Sequence, residues 1–237
     1  MLPPSLGELR NLKQLNLRDC KAMKCLPDSF RQLTQLGKLV LDCPISQLPF
    51  IRVEGARESL IESIGQRTCS NLGSSVDKCI FQLQHIRLYN TQISEVSFDE
   101  DVFPNLQHIH ISFCHYLEKV ATLSNALLEL ELIDCNNLKK IEVLCGLAKL
   151  RELVIKGLKL EKLPSIEILV SLHQLYLADY VMLKSIQGLD ELTKLQLLCV
   201  NDCSELQELQ GVEYCMALES LKAIGCPSLQ WDDNIVE

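Results

Sequence analysis

Leucine or another apolar residue returns at a regular spacing along almost the whole chain, as in Leu12-x-x-Leu15-x-Leu17. If the first leucine of each unit marks its phase, the markers are Leu12, Leu36, Leu83, Leu106, Leu127, Leu150, Leu172, Leu195 and Leu218. They are separated by 24, 47, 23, 21, 23, 22, 23 and 23 residues. Only the step of 47 residues departs from the common period, and it is close to two periods. Every unit has further apolar residues three and five positions after its marker. This alternation predicts one short strand per unit, with alternate side chains pointing into a core.

A period of about 20 to 29 residues with a Leu-x-x-Leu-x-Leu core is the signature of leucine-rich repeats. One unit cannot bury its own leucines, so neighbouring units must stack. We therefore predict an α/β solenoid of the leucine-rich-repeat horseshoe type, with a parallel β-sheet on the concave face and mostly irregular or short helical returns on the convex side. Residues 1–237 are expected to form one such domain with about nine recognisable repeats. Parallel sheets are usually covered on both faces, whereas this one is expected to leave its concave face open to a partner.

The segment 50–79 is the one stretch where the pattern lapses. A hidden unit would take its marker near Leu60, but Ser63 and Gly65 would then occupy positions that need apolar residues. Leu60 and Ile64 instead have the spacing of one helical face. Two interpretations stay open: a degenerate coil that continues the stack, or a loop and short helix that extend out of it.

Charge and composition narrow the classes of function. A formal net charge of −8 and 5% aromatic residues argue against a nucleic-acid binder, which usually has a basic face and rings for base stacking. Apolar runs such as 197–200 are far shorter than the roughly 20 residues of a membrane helix, so no membrane span is predicted. The first residues carry no basic region before an apolar run, so we expect no secretory signal. Catalytic elbows, zinc-protease pairs and dinucleotide fingerprints are missing from the sequence, and we predict neither an enzyme nor a cofactor.

The twelve cysteines follow the repeat rather than a disulfide pattern. Five of them stand eight residues after a marker, at the turn that ends the strand: Cys20, Cys114, Cys135, Cys203 and Cys226. Cysteine there acts as a small apolar residue with a weak S–H donor, so we expect free thiols. A bridge between adjacent coils, such as Cys114 to Cys135, is the less favoured alternative. Without a Cys-x-x-Cys pair, no zinc site is predicted.

Function is expected from the outward positions, which lie two, four, six and seven residues after each marker. These positions vary in charge and size from unit to unit, whereas the inward ones hardly vary. Aromatic and arginine side chains commonly anchor protein partners, so Arg87, Tyr89, Phe113 and Tyr176 are the predicted hot spots. The whole candidate partner-binding set is His85, Arg87, Tyr89, His108, His110, Phe113, Glu129, Glu131, Lys156, Tyr176 and Asp179.

Three histidines and two glutamates of this set should meet near the centre of the face. His85, His108 and His110 are expected on neighbouring strands beside Glu129 and Glu131. A divalent metal would need such ligands in a defined geometry, and a pH-sensitive contact would need histidines that titrate near neutrality. Exposed histidines without a special task are the preferred interpretation, and we predict no metal site.

The strand core is followed by cysteine and a second apolar series, as in LNLRDCKAMKCLP (15–27), IHISFCHYLEKV (109–120) and LELIDCNNLKKI (130–141). Shorter variants, such as LDCPISQLP (41–49), lack one residue there. This mixture resembles the leucine-rich-repeat region of plant nucleotide-binding leucine-rich-repeat disease-resistance receptors. The resemblance implies a cytoplasmic or nucleocytoplasmic module that senses a ligand and restrains the receptor in plant defence. The implied partners are a pathogen effector, a guarded host protein or the receptor's own nucleotide-binding module.

Met1 falls within a linker that ought to follow an earlier strand, so the N-terminal coil is expected to be uncapped. The sequence has no phosphate-binding loop, which that receptor family carries upstream of its repeats. We therefore expect the sensor part of a longer receptor. The alternative is a free-standing adaptor or scaffold, for example one that recruits substrates to an E3 ligase. The cysteine-containing repeats of F-box proteins have a similar core, but they usually occur in longer units with a helical return.

Overall fold

The computed structural model describes residues 2–49, 82–141, 144, 146–159 and 163–230. Its strands are β1 (Gln14–Leu17), β2 (Lys38–Asp42), β3 (His85–Tyr89), β4 (Glu95–Val96), β5 (His108–Ser112), β6 (Lys119–Val120), β7 (Glu129–Ile133), β8 (Lys140–Ile141), β9 (Glu152–Lys156), β10 (Gln174–Ala178), β11 (Leu197–Cys199) and β12 (Ser220–Lys222). Nine of them form one parallel sheet in the order β1-β2-β3-β5-β7-β9-β10-β11-β12. A second sheet has the order β4-β6-β8. The predicted solenoid with a parallel sheet is thereby confirmed.

Each strand of the large sheet begins two residues after a marker leucine, as the sequence phase predicts. Equivalent residues of neighbouring coils pair directly, so Leu130 faces Ile109 on one side and Leu153 on the other. All three side chains are completely buried. Stacking in this register therefore turns one leucine per coil into a continuous apolar row.

The long step of 47 residues between markers corresponds to a single strand spacing. β2 pairs with β3 directly, with Lys38 opposite His85 and Asp42 opposite Tyr89. The segment 50–79 itself, with its alternatives of degenerate coil or extruded loop, lies outside the described residues.

In the described residues, the segments outside the large sheet carry only short regular elements, as predicted. The 3-10 helices whose bounds lie fully within the described residues are η1 (Pro4–Glu8), which precedes β1, and η2 (Asp28–Gln32), η3 (Leu189–Glu191) and η4 (Val212–Tyr214). No α-helix occurs among the described residues. The two-residue strands of the small sheet follow the second apolar series, and their Val96, Val120 and Ile141 form another buried row.

The cysteines at the strand ends are free thiols that point into the core. In Cys114, Cys135 and Cys203, Sγ lies 3.5 Å from the carbonyl oxygen two residues earlier. Each thiol also lies near a carbonyl of the preceding coil, at 3.5 Å for Cys203 and Leu177. Burial raises the pKa of Cys203 to about 11, so this thiol stays protonated at neutral pH. All described cysteines are unbridged, as expected, and Cys114, Cys135 and Cys203 link adjacent coils through weak S–H donors.

Candidate binding surface

A row of five residues crosses the centre of the open face of the large sheet. Lys38, His85, His108, Glu129 and Glu152 are successive register neighbours on β2, β3, β5, β7 and β9, and we call them the charged row. Nδ1 of His108 lies 2.7 Å from Oε2 of Glu129. The His85 ring stacks on the His108 ring, with centroids 4.1 Å apart and an interplanar angle of 9°. Formal charge therefore changes sign along the row, from Lys38 at one end to two glutamates at the other.

A second row runs beside it, two residues further along each strand. Arg87, His110 and Glu131 are register neighbours here. Nδ1 of His110 lies 2.6 Å from Oε2 of Glu131, and only 18% of the His110 side chain is exposed. As in the charged row, the sign changes from positive to negative along the row: here the cation, Arg87, is on β3 and the carboxylate, Glu131, is on β7. Two parallel histidine–glutamate pairs thus bridge the same two strands.

These contacts shift three pKa values in directions that follow from the geometry. The pKa of Glu131 is lowered, chiefly because His110 hydrogen-bonds to its carboxylate. The pKa of Glu152 is raised by burial and then by the nearby charges of Glu129 and Glu131. Burial lowers the pKa of His85, and the adjacent imidazole and ammonium groups lower it further. Both ends of the charged row therefore bring like charges close together.

An aromatic pair lies at the end of the strands, beside the charged row and the second row. The rings of Tyr89 and Phe113 have centroids 5.1 Å apart, and both side chains are exposed. Phe113 has φ 55°, in the left-handed region that disfavours bulky residues by roughly 1 to 2 kcal/mol. The equivalent residues of other coils suit this turn better: Asp19, Asn90, Asp134, Gly157, Asp179, Asp202 and Gly225. The Phe113 ring therefore contacts Tyr89, but its backbone adopts a conformation that is unfavourable for a bulky residue.

Three predicted site residues lie in later coils, apart from the histidines: Lys156 on β9, Tyr176 on β10 and Asp179 just after β10. The Tyr176 hydroxyl donates a hydrogen bond to Oε1 of Gln174, on the same strand, at 3.1 Å. Nζ of Lys156 lies 3.5 Å from a carboxylate oxygen of Asp179 in the next coil. Both partners of that pair are about half exposed, so the pair contributes little to stability.

The structure thus places the candidate residues in three groups. The histidines, Arg87 and the two glutamates come together, the aromatic pair adjoins them, and Lys156, Tyr176 and Asp179 are separate. The candidate set left out Lys38 and Glu152, which complete the charged row. Both could have been found from the sequence, because the charges at this aligned position change from positive to negative between successive units.

A metal ion and a membrane are two alternative partners for the described part of the chain. It contains no group of three or more His, Cys, Asp or Glu side chains placed to hold a metal ion. His108 and His110 pair with Glu129 and Glu131 instead. Within the same residues, no helix has the length and apolar character needed to cross a membrane.

Comparison with known sequences shows one relevant similarity. No family model matches the chain. Disease resistance protein RPS4B of Arabidopsis thaliana is 27% identical to it over 142 residues. These residues are 59% of this chain, and the chain covers 12% of the length of RPS4B. The similarity confirms the resemblance to the repeat region of plant disease-resistance receptors.

Comparison with solved structures shows the fold. A leucine-rich-repeat protein of Leptospira interrogans has a TM-score of 0.55 and 21% identity, and the alignment covers 97% of this chain and 68% of that one. TLR13, in its complex with ssRNA13, has a TM-score of 0.62 and 18% identity, with 96% of this chain and 36% of that one covered. At these identities the likeness concerns the fold alone. The chain is a leucine-rich-repeat solenoid, a fold typical of non-enzymatic interaction scaffolds with an extended concave binding surface.

Proposed function

We propose that this chain is the ligand-sensing and autoinhibitory region of a plant intracellular immune receptor. The observation that carries the proposal is the open face of the large sheet. Charged and aromatic residues occupy its outward rows, whereas leucines occupy the inward rows. The similarity to RPS4B supports a role in disease resistance. Since the chain covers only 12% of that protein, the nucleotide-dependent switch belongs to the rest of the proposed receptor.

The ligand of this face is a protein. A nucleic acid would present phosphates to Glu129, Glu131 and Glu152 as well as to the cations of β2 and β3, and the chain has a net charge of −8. Protein interfaces instead combine opposite charges with aromatic and arginine anchors. The partner is a pathogen effector, a guarded host protein or the receptor's own nucleotide-binding module, all of which meet the chain in the cytoplasm or nucleus.

Autoinhibition and sensing would use the same surface in turn. A nucleotide-binding module that rests on this face is released when a ligand competes for it, because one surface cannot hold both. The ligand shifts the receptor only by as much as it binds the released state better than the restrained one. The hot spots of the face, Arg87 and Tyr176 among them, are therefore expected to affect both contacts.

Proximity labelling tests the proposal in plant cells. The chain is fused to a biotin ligase and expressed in leaves before and after pathogen challenge. The double variant Arg87→Ala/Tyr176→Ala is compared with Lys139→Ala, whose side chain is 70% exposed in a return and pairs with Glu118. Truncation of a hot spot costs more than about 1 kcal/mol, so the double variant is expected to lose labelling of its partners at least about five-fold. The Lys139 variant is expected to label like the wild type.

The identity of the proteins that depend on Arg87 and Tyr176 decides between the two candidate functions. A nucleotide-binding module, a pathogen effector or a host defence component among them supports the immune receptor. Ubiquitin-ligase subunits without any of these support the adaptor instead. Equal labelling by all three chains would refute a binding role for this face.

A further inference from the structure

The two ends of the charged row have no partner within the described structure. Lys38 is exposed and Glu152 is half-buried, and neither forms an ion pair with another described residue. The middle of the row is different, because His108 and Glu129 satisfy each other and His85 is stacked on His108. Within the described residues, the row therefore presents an unpaired cation and an unpaired anion, separated by groups that are already paired.

Like charges face each other at the acidic end. Glu129 and Glu152 are direct register neighbours on β7 and β9, an arrangement that destabilises a sheet. Burial raises the pKa of Glu152, and the nearby charge of Glu129 raises it further. At the other end Lys38 stands directly beside His85, whose pKa is lowered by burial, then by His108 and by that ammonium group. An outside charge of the opposite sign would relieve the repulsion at each end.

The separation of the two ends sets the size of a matching ligand. Lys38 and Glu152 are four strand spacings apart, which corresponds to about 19 Å at 4.8 Å per spacing. An extended polypeptide rises about 3.3 Å per residue, so about six residues span this distance. A helix would need about twice as many residues.

We propose that an extended segment of a partner protein lies along the charged row, with an acidic side chain on Lys38 and a basic side chain, about six residues away, on Glu152. The inference rests on the proposed function, since it specifies which protein segment the face recognises. A segment of uniform charge meets a like charge at one end of the row. The side chains between the two charges are uncharged, because the groups beneath them are already paired with each other.

Three synthetic peptides test this spacing. The first is a capped heptapeptide with Glu at one end, Lys at the other and five neutral polar residues between them. The second has the same composition with Glu and Lys adjacent in the middle, and the third has Lys at both ends. Binding to the full chain is followed by amide chemical shifts. Since an exposed ion pair contributes up to about 1 kcal/mol, the first peptide is expected to bind about two- to five-fold more tightly than its isomer. This preference is expected to disappear at 1 M salt.

A charge reversal in the protein provides the second readout. Lys38→Glu is expected to reverse the preference, so that the peptide with Lys at both ends binds better than the peptide with Glu and Lys. Lys139→Glu, outside the charged row, is the matched control and is expected to leave the order of affinities unchanged. Circular dichroism of each variant establishes that its fold is retained.

Equal affinity of the two isomers, or an unchanged preference in Lys38→Glu, would overturn the proposed segment. The proposed function would survive that result if the Arg87/Tyr176 variant still lost its partners, because neither residue belongs to the charged row. In the opposite case, the Arg87/Tyr176 variant labels the same partners as the wild type, while the first peptide still binds more tightly than its isomer. The row would then bind charged segments without serving as the receptor's sensor.

Discussion

Leu130 lies in the middle of an inward row, and its replacement by Ala tests the register of the whole stack. Its side chain is completely buried, as are those of its neighbours Ile109 and Leu153. The substitution removes three carbons, which corresponds to about 2.4 kcal/mol at 0.8 kcal/mol each. A cavity adds to this cost because coils on both sides hold the space open. We therefore expect Leu130→Ala to lower the free energy of unfolding by about 3 to 5 kcal/mol.

Leu15→Ala is the matched control, since Leu15 occupies the same inward position on the edge strand β1. It is partly exposed and has a register neighbour, Leu39, on one side only. We expect a cost of about 1 to 2 kcal/mol, because less area is lost and the site can relax. Urea unfolding, followed by far-UV circular dichroism, gives both values from the midpoints if the slopes agree. Equal costs, or a cost below about 1 kcal/mol for Leu130→Ala, would show that the assigned register is wrong.

Three further substitutions test the pKa shifts and a strand-end turn, and a fourth, Gly37→Ala, is the control for the turn. Glu152→Gln is expected to raise stability at pH 7, because the raised pKa of this carboxyl means that folding disfavours its charge; in urea unfolding, the gain should vanish below the usual pKa of Glu. Glu131→Gln is expected to lower stability at pH 7, and the loss should disappear as the pH falls through the lowered pKa of the folded state; a pH-independent difference would contradict this. Gly157→Ala is expected to cost about 1 to 3 kcal/mol in thermal unfolding, since Gly157 has φ +64° and a Cβ would collide with Asp134. Gly37→Ala, where the nearest atom is 3.6 Å from the added Cβ, should change stability by at most about 0.5 kcal/mol.

The register of the sheet could be predicted from the sequence because one leucine phase is repeated in every coil. Once Leu127 and Leu106 are known to be equivalent, Glu129 must stand beside His108, and the structure confirms this pairing. The proximity of the two side chains follows from the strand spacing alone. The stacking of His85 on His108 does not, because it depends on rotamers that a periodic pattern leaves open.

Exposure on the outward face was less predictable. Val40 and Cys199 occupy outward positions, yet they are only 5% and 7% exposed. The period of a strand gives the direction of a side chain, but the size of its neighbours decides whether water reaches it. The left-handed turn at Phe113 had a visible signal, since aligned coils place Asp, Asn or Gly there. That comparison between coils, rather than any local property of Phe113, identifies the residue as conformationally unusual.

The separation of inward and outward rows explains how such a face acquires a ligand without losing its fold. Each coil contributes one residue to every row, so a single outward substitution changes charge at one point of the surface and leaves the stacked leucines in place. Most surface substitutions change stability by at most about 0.5 kcal/mol, whereas a buried leucine contributes several times more. The neighbouring Glu129 and Glu152 are an exception, because their repulsion lowers stability in the unbound chain. In the proposed complex, the basic side chain of the partner on Glu152 offsets this repulsion.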